Sequence, residues 1–378
     1  MYKQDFRSTI IVNATAAHSS GALSILKQFI TNIPKGSEEL YYIFTNPEIK
    51  LTTDSKYVEF IPIDTNRWHK RIIWDALGIK KWIKRNHLKP SLIISLQNTG
   101  VNLNKSIPQL IYYHQLLPLS NHSWNIKKKD EFILFVYKHF YSLFVSLYKH
   151  EKTHFVVQIP STKKAFLEKF NVSENHIHVI PPEVPSITLN NIDKITFGDN
   201  KIHFIYPATL FVYKNHQILL QALHILKTED YATFEKIKIH FTINKDDLAP
   251  FNNHYEIEEA ICFEGTIPFK QLIAYYHSMN ALLFPSYIES FGLPLLEAAY
   301  TGIPIIASDL PYVHDVVGEY SGTTYVDYKD AYAWANAIKT ACYSNERFKS
   351  FTYPTENGNW KNFFDLVEKL KINNHVRI

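Results

Sequence analysis

Residues 282–304, LLFPSYIESFGLPLLEAAYTGIP, constrain the fold of this chain more than any other stretch. They read as a buried strand at 281–284, a polar loop holding Glu289, and a short helix that begins near Pro294 and ends at Gly302. Proline suits a first helical turn, where its missing N–H would be unpaired anyway, and glycine just past the end adopts the left-handed conformation without strain. Ser290 and Gly292 therefore sit at a helix N-terminus, where free N–H groups and the helix dipole favour an anion. Glu289 before the helix and Glu297 within it frame that end, with seven residues between. Two acids so placed suit the hydroxyl groups of a ligand whose phosphates face the helix.

A strand–loop–helix unit of this kind needs neighbours, and the pattern supplies them. Strand-like runs recur at 9–13, 41–44, 58–63, 92–95, 110–113, 154–157 and 177–180, then at 202–206, 237–242 and 261–263, with helical periodicity between. Such alternation argues an α/β chain with parallel sheets covered on both faces. Pro181 and Pro182 stop the first series, and the polar tract 183–200, which contains Pro185, reads as a linker. With 378 residues and 46% hydrophobic content there is enough chain for two cores. The expected domains are 1–183 and 184–358.

In parallel sheets ligands bind outside the carboxyl ends of the strands, so residues there are weighed first. His114 directly follows a strand in LIYYHQLLPLS; a structural histidine and a functional one both fit. Loop 14–21 holds one glycine, Gly21, so the dinucleotide fingerprint is absent and a nicotinamide role gains little support. Ser19, Ser20 and Gly21 let a phosphate or sugar approach the next helix, or form a plain connection. Lys214, in K-N-H at a helix start, is disfavoured by the dipole unless an anion is bound there, or is a solvated surface lysine.

Composition narrows the chemistry further. A net charge of +4 suits an anionic ligand or membrane surface without demanding nucleic acid. Two cysteines, Cys262 and Cys342, without C-x-x-C spacing, point to a reducing compartment and away from structural zinc. No D-x-D or His/carboxylate spacing implies a metal, and no phosphate loop or nucleophile elbow occurs. The apolar run at 10–12 is too short for a signal-peptide core, which leads to an expected cytoplasmic location.

Segment 123–154 reads as a helix with a narrow polar face: Glu131, Lys138, Ser142, Ser146 and Lys149 share a stripe, while Phe132, Val136, Phe140, Leu143 and Leu147 lie away from it. Lys138 and His139 interrupt any membrane span. Docking on an anionic membrane through Lys127, Lys128 and Lys129, or a half-buried domain helix, are the readings left.

Taken together, F-E-G-T-I-P at 263–268, the helix after it, FPSYIESFGLPLLEAAYTGIPIIAS and Lys214–His216 resemble the C-terminal domain of the family 4 retaining glycosyltransferases. IYYHQLLPLS and FVVQIPSTKKAFLEKF resemble that family's N-terminal domain. The resemblance implies the GT-B fold, two Rossmann-like domains facing each other across a cleft, with a nucleotide-sugar donor on the second and an acceptor on the first. It implies that Glu289 contacts donor-sugar hydroxyls, that the amides of Ser290, Phe291, Gly292 and Leu293 reach the sugar and diphosphate, and that Glu297 binds the ribose. Lys214 resembles the basic residue on the diphosphate, Thr266, Ile267 and Pro268 the loop beside the nucleobase, and His114 the histidine near the reacting sugar. Gly21 resembles part of the loop that closes over the phosphates. A C-terminal helix, 359–378, is implied to pack back on the first domain.

The implied reaction is metal-independent transfer with retained configuration, the acceptor attacking on the leaving-group face and a phosphate oxygen taking its proton. The implied acceptor is a lipid-linked glycan in surface polysaccharide synthesis, and no cofactor is expected. One departure stands out: the family commonly has an arginine five or six residues before the lysine, and this chain has Thr209 and Ala208. A sugar-nucleotide 2-epimerase of the same fold, or a non-catalytic sugar-nucleotide-binding module, are the competing readings.

Overall fold

A computed structural model of the chain describes residues 8–18, 20–37, 39–184, 194–248, 256–344, 346–351, 353 and 359–371. Ser19, the side chain of Ser20, Pro185 with residues 186–193 of the linker tract, and the tail beyond Lys371 lie outside the described residues. The chain divides into two compact units, Met1–Glu183 with Thr355–Ile378, and Val184–Pro354.

Each unit is built on one parallel sheet. The first contains β1 (Thr9–Ala14), β2 (Leu40–Thr45), β3 (Val58–Pro62), β4 (Pro90–Ser95), β5 (Gln109–Tyr112), β6 (Thr153–Val157) and β7 (Ile177–Val179), in the order β3-β2-β1-β4-β5-β6-β7. The second contains β8 (Ile202–Tyr206), β9 (Ile237–Phe241), β10 (Ile261–Phe263), β11 (Ala281–Phe284), β12 (Ile305–Ser308) and β13 (Thr323–Val326), in the order β10-β9-β8-β11-β12-β13. Strands β1, β4, β5 and β11 are buried at every residue, which is why they appear in the sequence as apolar runs rather than alternations. β12 is likewise buried at every residue, whereas in β13 only Val326 is buried, and neither strand stands out in the sequence. Both sheets reverse strand order beside their first strand, between β1 and β4 and between β8 and β11. Each reversal leaves a crevice at the carboxyl ends of the strands.

The helix Asn359–Leu370 belongs to the first unit. Trp360, Phe363, Phe364 and Val367 enter the same core as Phe29, Tyr41 and Tyr112, with Trp360 stacked 6.1 Å from the Tyr112 ring. Burying each of these rings is worth about 1.5–3 kcal/mol. The polar edge is fixed as well: Trp360 Nε1 donates to Gln28 Oε1 at 3.0 Å, and Asn359 Nδ2 donates to the Pro182 carbonyl at 2.8 Å.

Segment 123–154 contains the helix Lys129–Leu147, in which only Leu134 and Val145 are fully buried. Phe132, Ile133, Tyr137, Phe140, Leu143 and Leu147 are exposed, while Lys138 turns inward to donate to the His122 carbonyl at 2.8 Å. Among the described residues, no helix is long and apolar enough to cross a membrane.

Candidate functional site

At the crevice of the second sheet, each of the two central strands runs into a loop carrying one charge. After β8, Val212–Lys214 makes a single 3-10 turn, and Asn215, with φ of 60°, caps the helix His216–Glu229. Asparagine is one of the few side chains that enters the left-handed region at little cost. Here its Nδ2 also donates to the carbonyls of Pro285 (3.2 Å) and Tyr328 (2.8 Å). Tyr287 N and Ser286 Oγ donate to the Tyr213 carbonyl at 2.9 and 3.3 Å, and the Tyr206 hydroxyl donates to that of Lys214. These bonds stitch the loop after β8 to the loop after β11.

The consequence is an ion pair that bridges 75 residues of sequence. Lys214 Nζ lies 2.5 Å from Glu289 Oε1, with the two side chains 17% and 13% exposed. At this burial, removing one partner leaves the other uncompensated. Beside the pair, the helix Leu293–Thr301 starts with Pro294 in its first turn and ends at Gly302, φ 74°. Gly292, φ 87°, caps its start, and a Cβ there would also press on Leu295 Cδ1 at 3.1 Å. Ser290 is half-buried, Phe291 is buried against Tyr353, and Leu293 is half-buried at the first helical position.

Glu297 is treated quite differently from Glu289. It is 5% exposed and accepts a hydrogen bond from the Tyr276 hydroxyl at 3.0 Å. Burial pushes its carboxyl up to about 7, and the Tyr276 bond offsets only part of that. Tyr276 sits on the helix Phe269–Ser278, which follows directly on Thr266, Ile267 and Pro268. Thr266 and Pro268 are exposed and Ile267 is half-buried, so the loop and Glu297 are joined through one helix.

The crevice of the first sheet carries a different set. Asp75 stands on a π-helical turn, Trp74–Gly78, and is 7% exposed. Its carboxylate accepts from Asn13 Nδ2 (2.8 Å), Gln97 Nε2 (3.1 Å) and Thr99 Oγ1 (3.3 Å), yet burial outweighs these bonds and pushes its carboxyl up to about 7. His114 follows β5; its backbone N–H donates to Asn98 Oδ1 at 2.6 Å, and its Nε2 lies 3.4 Å from Asn98 Nδ2. An amide nitrogen can only donate, so Nε2 accepts and the ring proton sits on Nδ1. Burial pulls the imidazole down to about 4, and Nδ1 has no partner among the described residues. His114 is therefore a neutral ring with a spare donor. Gly21 is exposed in the first turn of the helix Ser20–Thr31, and beyond its chain neighbours and its own helix backbone no group among the described residues lies within 4 Å of where a Cβ would stand.

Comparison with known proteins relates the second unit to a family. Residues 188–359 match the family described as glycosyl transferases group 1. The chain carries a group 1 glycosyltransferase domain. The chain is 23% identical over 209 residues to the O-antigen chain mannosyltransferase RfbU of Salmonella typhimurium, covering 54% of this chain and 55% of the relative. It spans about half the length of the curated relatives it matches. Among solved structures, sucrose-phosphate synthase from Thermosynechococcus elongatus superposes with a TM-score of 0.66 over 97% of this chain and 95% of its own, at 16% identity. Anabaena HepE, solved in complex with UDP and glucose, superposes with a TM-score of 0.57 over 96% and 99%, at 14% identity. With two Rossmann-like parallel sheets, the fold is GT-B.

Within the group 1 domain the structure brings Lys214 and Glu289 into contact and sets the helix N-terminus beside them, while Glu297 lies on the same helix, held by Tyr276. Sequence reasoning did not find Tyr276, nor the set of Asn13, Asp75, Gln97 and Thr99 in the first unit. The signal for Asp75 was faint but present: one acid in IIWDALGI, among residues that would otherwise form an apolar helical face.

Proposed function

We propose that this protein is a retaining glycosyltransferase that moves a sugar from a nucleotide-diphosphate sugar to a glycan acceptor. The observation that carries the reading is the Lys214–Glu289 pair at the N-terminus of the Leu293–Thr301 helix, inside a group 1 domain. Negative charge grows on the departing diphosphate as the sugar leaves. Lys214 and the amides of residues 290–293 supply preorganised positive charge for it, so the step needs no metal and no cofactor. Glu289 accepts from the sugar hydroxyls and positions the ring rather than acting as a glycosidase nucleophile. Glu297 accepts from the ribose hydroxyls, and those donors favour the ionised form that burial opposes. Thr266, Ile267 and Pro268 flank the base, and Gly21 lets its loop approach the phosphates.

His114 enters as a hydrogen-bond donor. A ring held near pKa 4 with its proton on Nδ1 is a poor base at neutral pH and a good partner for a sugar oxygen. That fits a mechanism in which a phosphate oxygen takes the acceptor's proton and the product keeps its anomeric configuration. Ala208 and Thr209 stand where a second cation is common, and Ala208 is buried. A charge-assisted hydrogen bond is worth about 1.5–3 kcal/mol, so Lys214 bears a larger share of leaving-group stabilisation here.

The proposed acceptor is a lipid-linked glycan in bacterial surface polysaccharide synthesis, of the O-antigen or capsule type, met at the cytoplasmic face of the membrane. Supporting this are the RfbU likeness and the exposed apolar face of the Lys129–Leu147 helix next to Lys127 and Lys128. Apolar residues beside a basic cluster suit peripheral contact with anionic lipid. The test is incubation with a panel of nucleotide sugars and lipid-linked acceptors, with the product's anomeric configuration read by NMR. An α-linked product from an α-linked donor is expected; inversion, or isomerised sugar nucleotide formed without acceptor, would overturn the reading.

A further inference from the structure

One group of side chains in the second unit plays no part in the transfer mechanism. His240 on β9 and Cys262 on β10 stand directly opposite in the parallel pairing, and Glu264 lies two residues beyond Cys262 on the same face. One ligand atom from each, an imidazole nitrogen, a sulfur and a carboxylate oxygen, lie within 4.8 Å of one another. Spacing along the chain hid this set, because the residues meet only through strand pairing.

The hydrogen bonds around His240 form an open chain of four groups. Asp199 Oδ1 lies 2.8 Å from His203 Nε2, His203 Nδ1 lies 2.8 Å from His240 Nε2, and His240 Nδ1 lies 2.6 Å from Glu264 Oε1. Three links need three protons, and two neutral imidazoles supply two. The third link requires a cationic imidazole, a protonated carboxyl, or a metal ion in place of the proton. Cys262 selects among these, since a thiol beside the Glu264 link adds a soft ligand where the proton is missing. Phe197, stacked on His203 at 3.8 Å, shields the middle of the chain.

We infer that His240 Nδ1, Cys262 Sγ and Glu264 Oε1 bind a divalent first-row metal ion of the zinc type. Imidazole, thiolate and carboxylate are its ordinary donors, with bonds of about 2.0–2.3 Å. Ligands around such an ion stand about 3.2–3.8 Å apart, so the 2.6 Å His240–Glu264 contact opens by about 0.6–1.2 Å to admit it. With the ion on Nδ1, the remaining protons have one consistent arrangement. His240 Nε2–H donates to His203 Nδ1, and His203 Nε2–H donates to Asp199. This is the outer-shell carboxylate–histidine support that metal-ligating histidines ordinarily receive. Tyr275 donates to the other Glu264 oxygen at 2.5 Å, which leaves Oε1 for the ion. The fourth position falls to water on the side where Cys262 is half-exposed. Glu264 leads straight into Gly265–Pro268, so the ion braces that loop and takes no part in bond making.

The test is titration of chelator-treated full-length protein with Co(II), followed by competition with Zn(II). A thiolate-to-cobalt charge-transfer band is expected, saturating at one equivalent and displaced by zinc. Cys262→Ser is expected to abolish the band, and Cys342→Ser to leave it intact. His203→Phe should weaken binding by about 10–100-fold, the usual effect of removing an outer-shell partner. Thermal melts of the metal-free variants check folding, and a Cys262→Ser protein that melts like the parent makes its lost band a ligand effect. A hydrogen-bonded network only, seen as no charge-transfer band or a band unaffected by Cys262→Ser, would overturn the proposal.

Discussion

At the crevice of the second sheet a lysine and a glutamate stand 2.5 Å apart beside a helix N-terminus. At the matching crevice of the first sheet, Asp75 is surrounded by amide and hydroxyl donors, and His114 is neutral. The strand orders are alike, so the backbone does not set this contrast. It is set by what the loops after the strands carry. Fixed charge at one crevice suits a diphosphate, whose charge grows during reaction. At the other, the neutral His114 ring keeps a spare Nδ1 donor, which suits a hydroxyl group. A cavity of about 400 Å³ opens onto Asp75 and Thr99 of that second set, with Arg71 the other charged residue of a lining made mostly of apolar and aromatic side chains such as Trp68, Val136 and Phe140.

The contrast breaks most visibly if its charge is removed. Lys214→Ala is expected to lower kcat/KM for transfer by about 10²–10³-fold, as losing one preorganised donor to a developing oxyanion does. Steady-state kinetics with the best nucleotide sugar would measure this, and activity within a few-fold of the parent would place the diphosphate elsewhere. In the first unit, His114→Ala is expected to cost about tenfold or somewhat more in kcat, on the scale of one hydrogen bond. Because the ring stays neutral down to about pH 4, its contribution should show no titration between pH 5 and 8. A kcat profile that loses a limb near pH 6.5 in the variant would show that His114 acts as a base.

Glu297 sharpens the comparison within the second unit, where one carboxylate is paired and the other is not. Its folded pKa of about 7 lies above the unfolded value of 4.5, so between these pH values the folded state binds the extra proton. Stability therefore falls as pH rises through that window, by an amount on the order of 3 kcal/mol once Glu297 is fully ionised. Glu297→Gln keeps the Tyr276 bond and removes the charge. The variant is expected to be more stable than the parent above pH 7 in urea titrations, with little difference near pH 4.5, and to bind donor about tenfold more weakly. Equal pH dependence in parent and variant would show that the burial of Glu297 is relieved in solution.

The smallest effect on folding is expected at the exposed helix of the first unit. Phe140→Asp with Leu143→Asp should change stability by no more than about 0.5 kcal/mol each, as surface substitutions do. The same pair should abolish flotation with vesicles containing anionic lipid. Undiminished binding to those vesicles would move the membrane contact off this face.

Much of the fold is legible in the sequence, because a parallel strand buried on both faces is a continuous apolar run. The strands around β1, β4, β5, β8 and β11 announce themselves in this way, and the alternation with helices implies α/β layers. β12 follows directly on the strong motif and is read as part of it, and β13, Thr323–Val326, is only partly buried and opens on two threonines, so no apolar run marks it. Lys214, Glu289 and Glu297 are also visible, through the order of their flanking residues. The contact between Lys214 and Glu289 is not, nor is the gathering of Asn13, Asp75, Gln97 and Thr99, because those neighbours come from separate strands. In the helix Lys129–Leu147 a polar stripe can be drawn from spacing, but spacing does not say which stripe meets the core. Lys138 turns inward there beside Leu134 and Val145, and Phe132, Ile133, Phe140, Leu143 and Leu147 face out.

The sequence by itself determines the local units: where strands run, where Pro294 starts a helix and Gly302 ends it, and which residues follow the strand ends. These depend on backbone sterics and periodicity over a few residues. Only the tertiary structure decides that Glu289 is paired while Glu297 is buried with Tyr276. It alone decides that the helix Asn359–Leu370 fills the core beside Phe29, and that His240 meets Cys262 and Glu264 across two strands. Charge, solvation and ligand geometry depend on neighbours brought together in space, and strand pairing sets those neighbours at sequence distances that no local pattern spans.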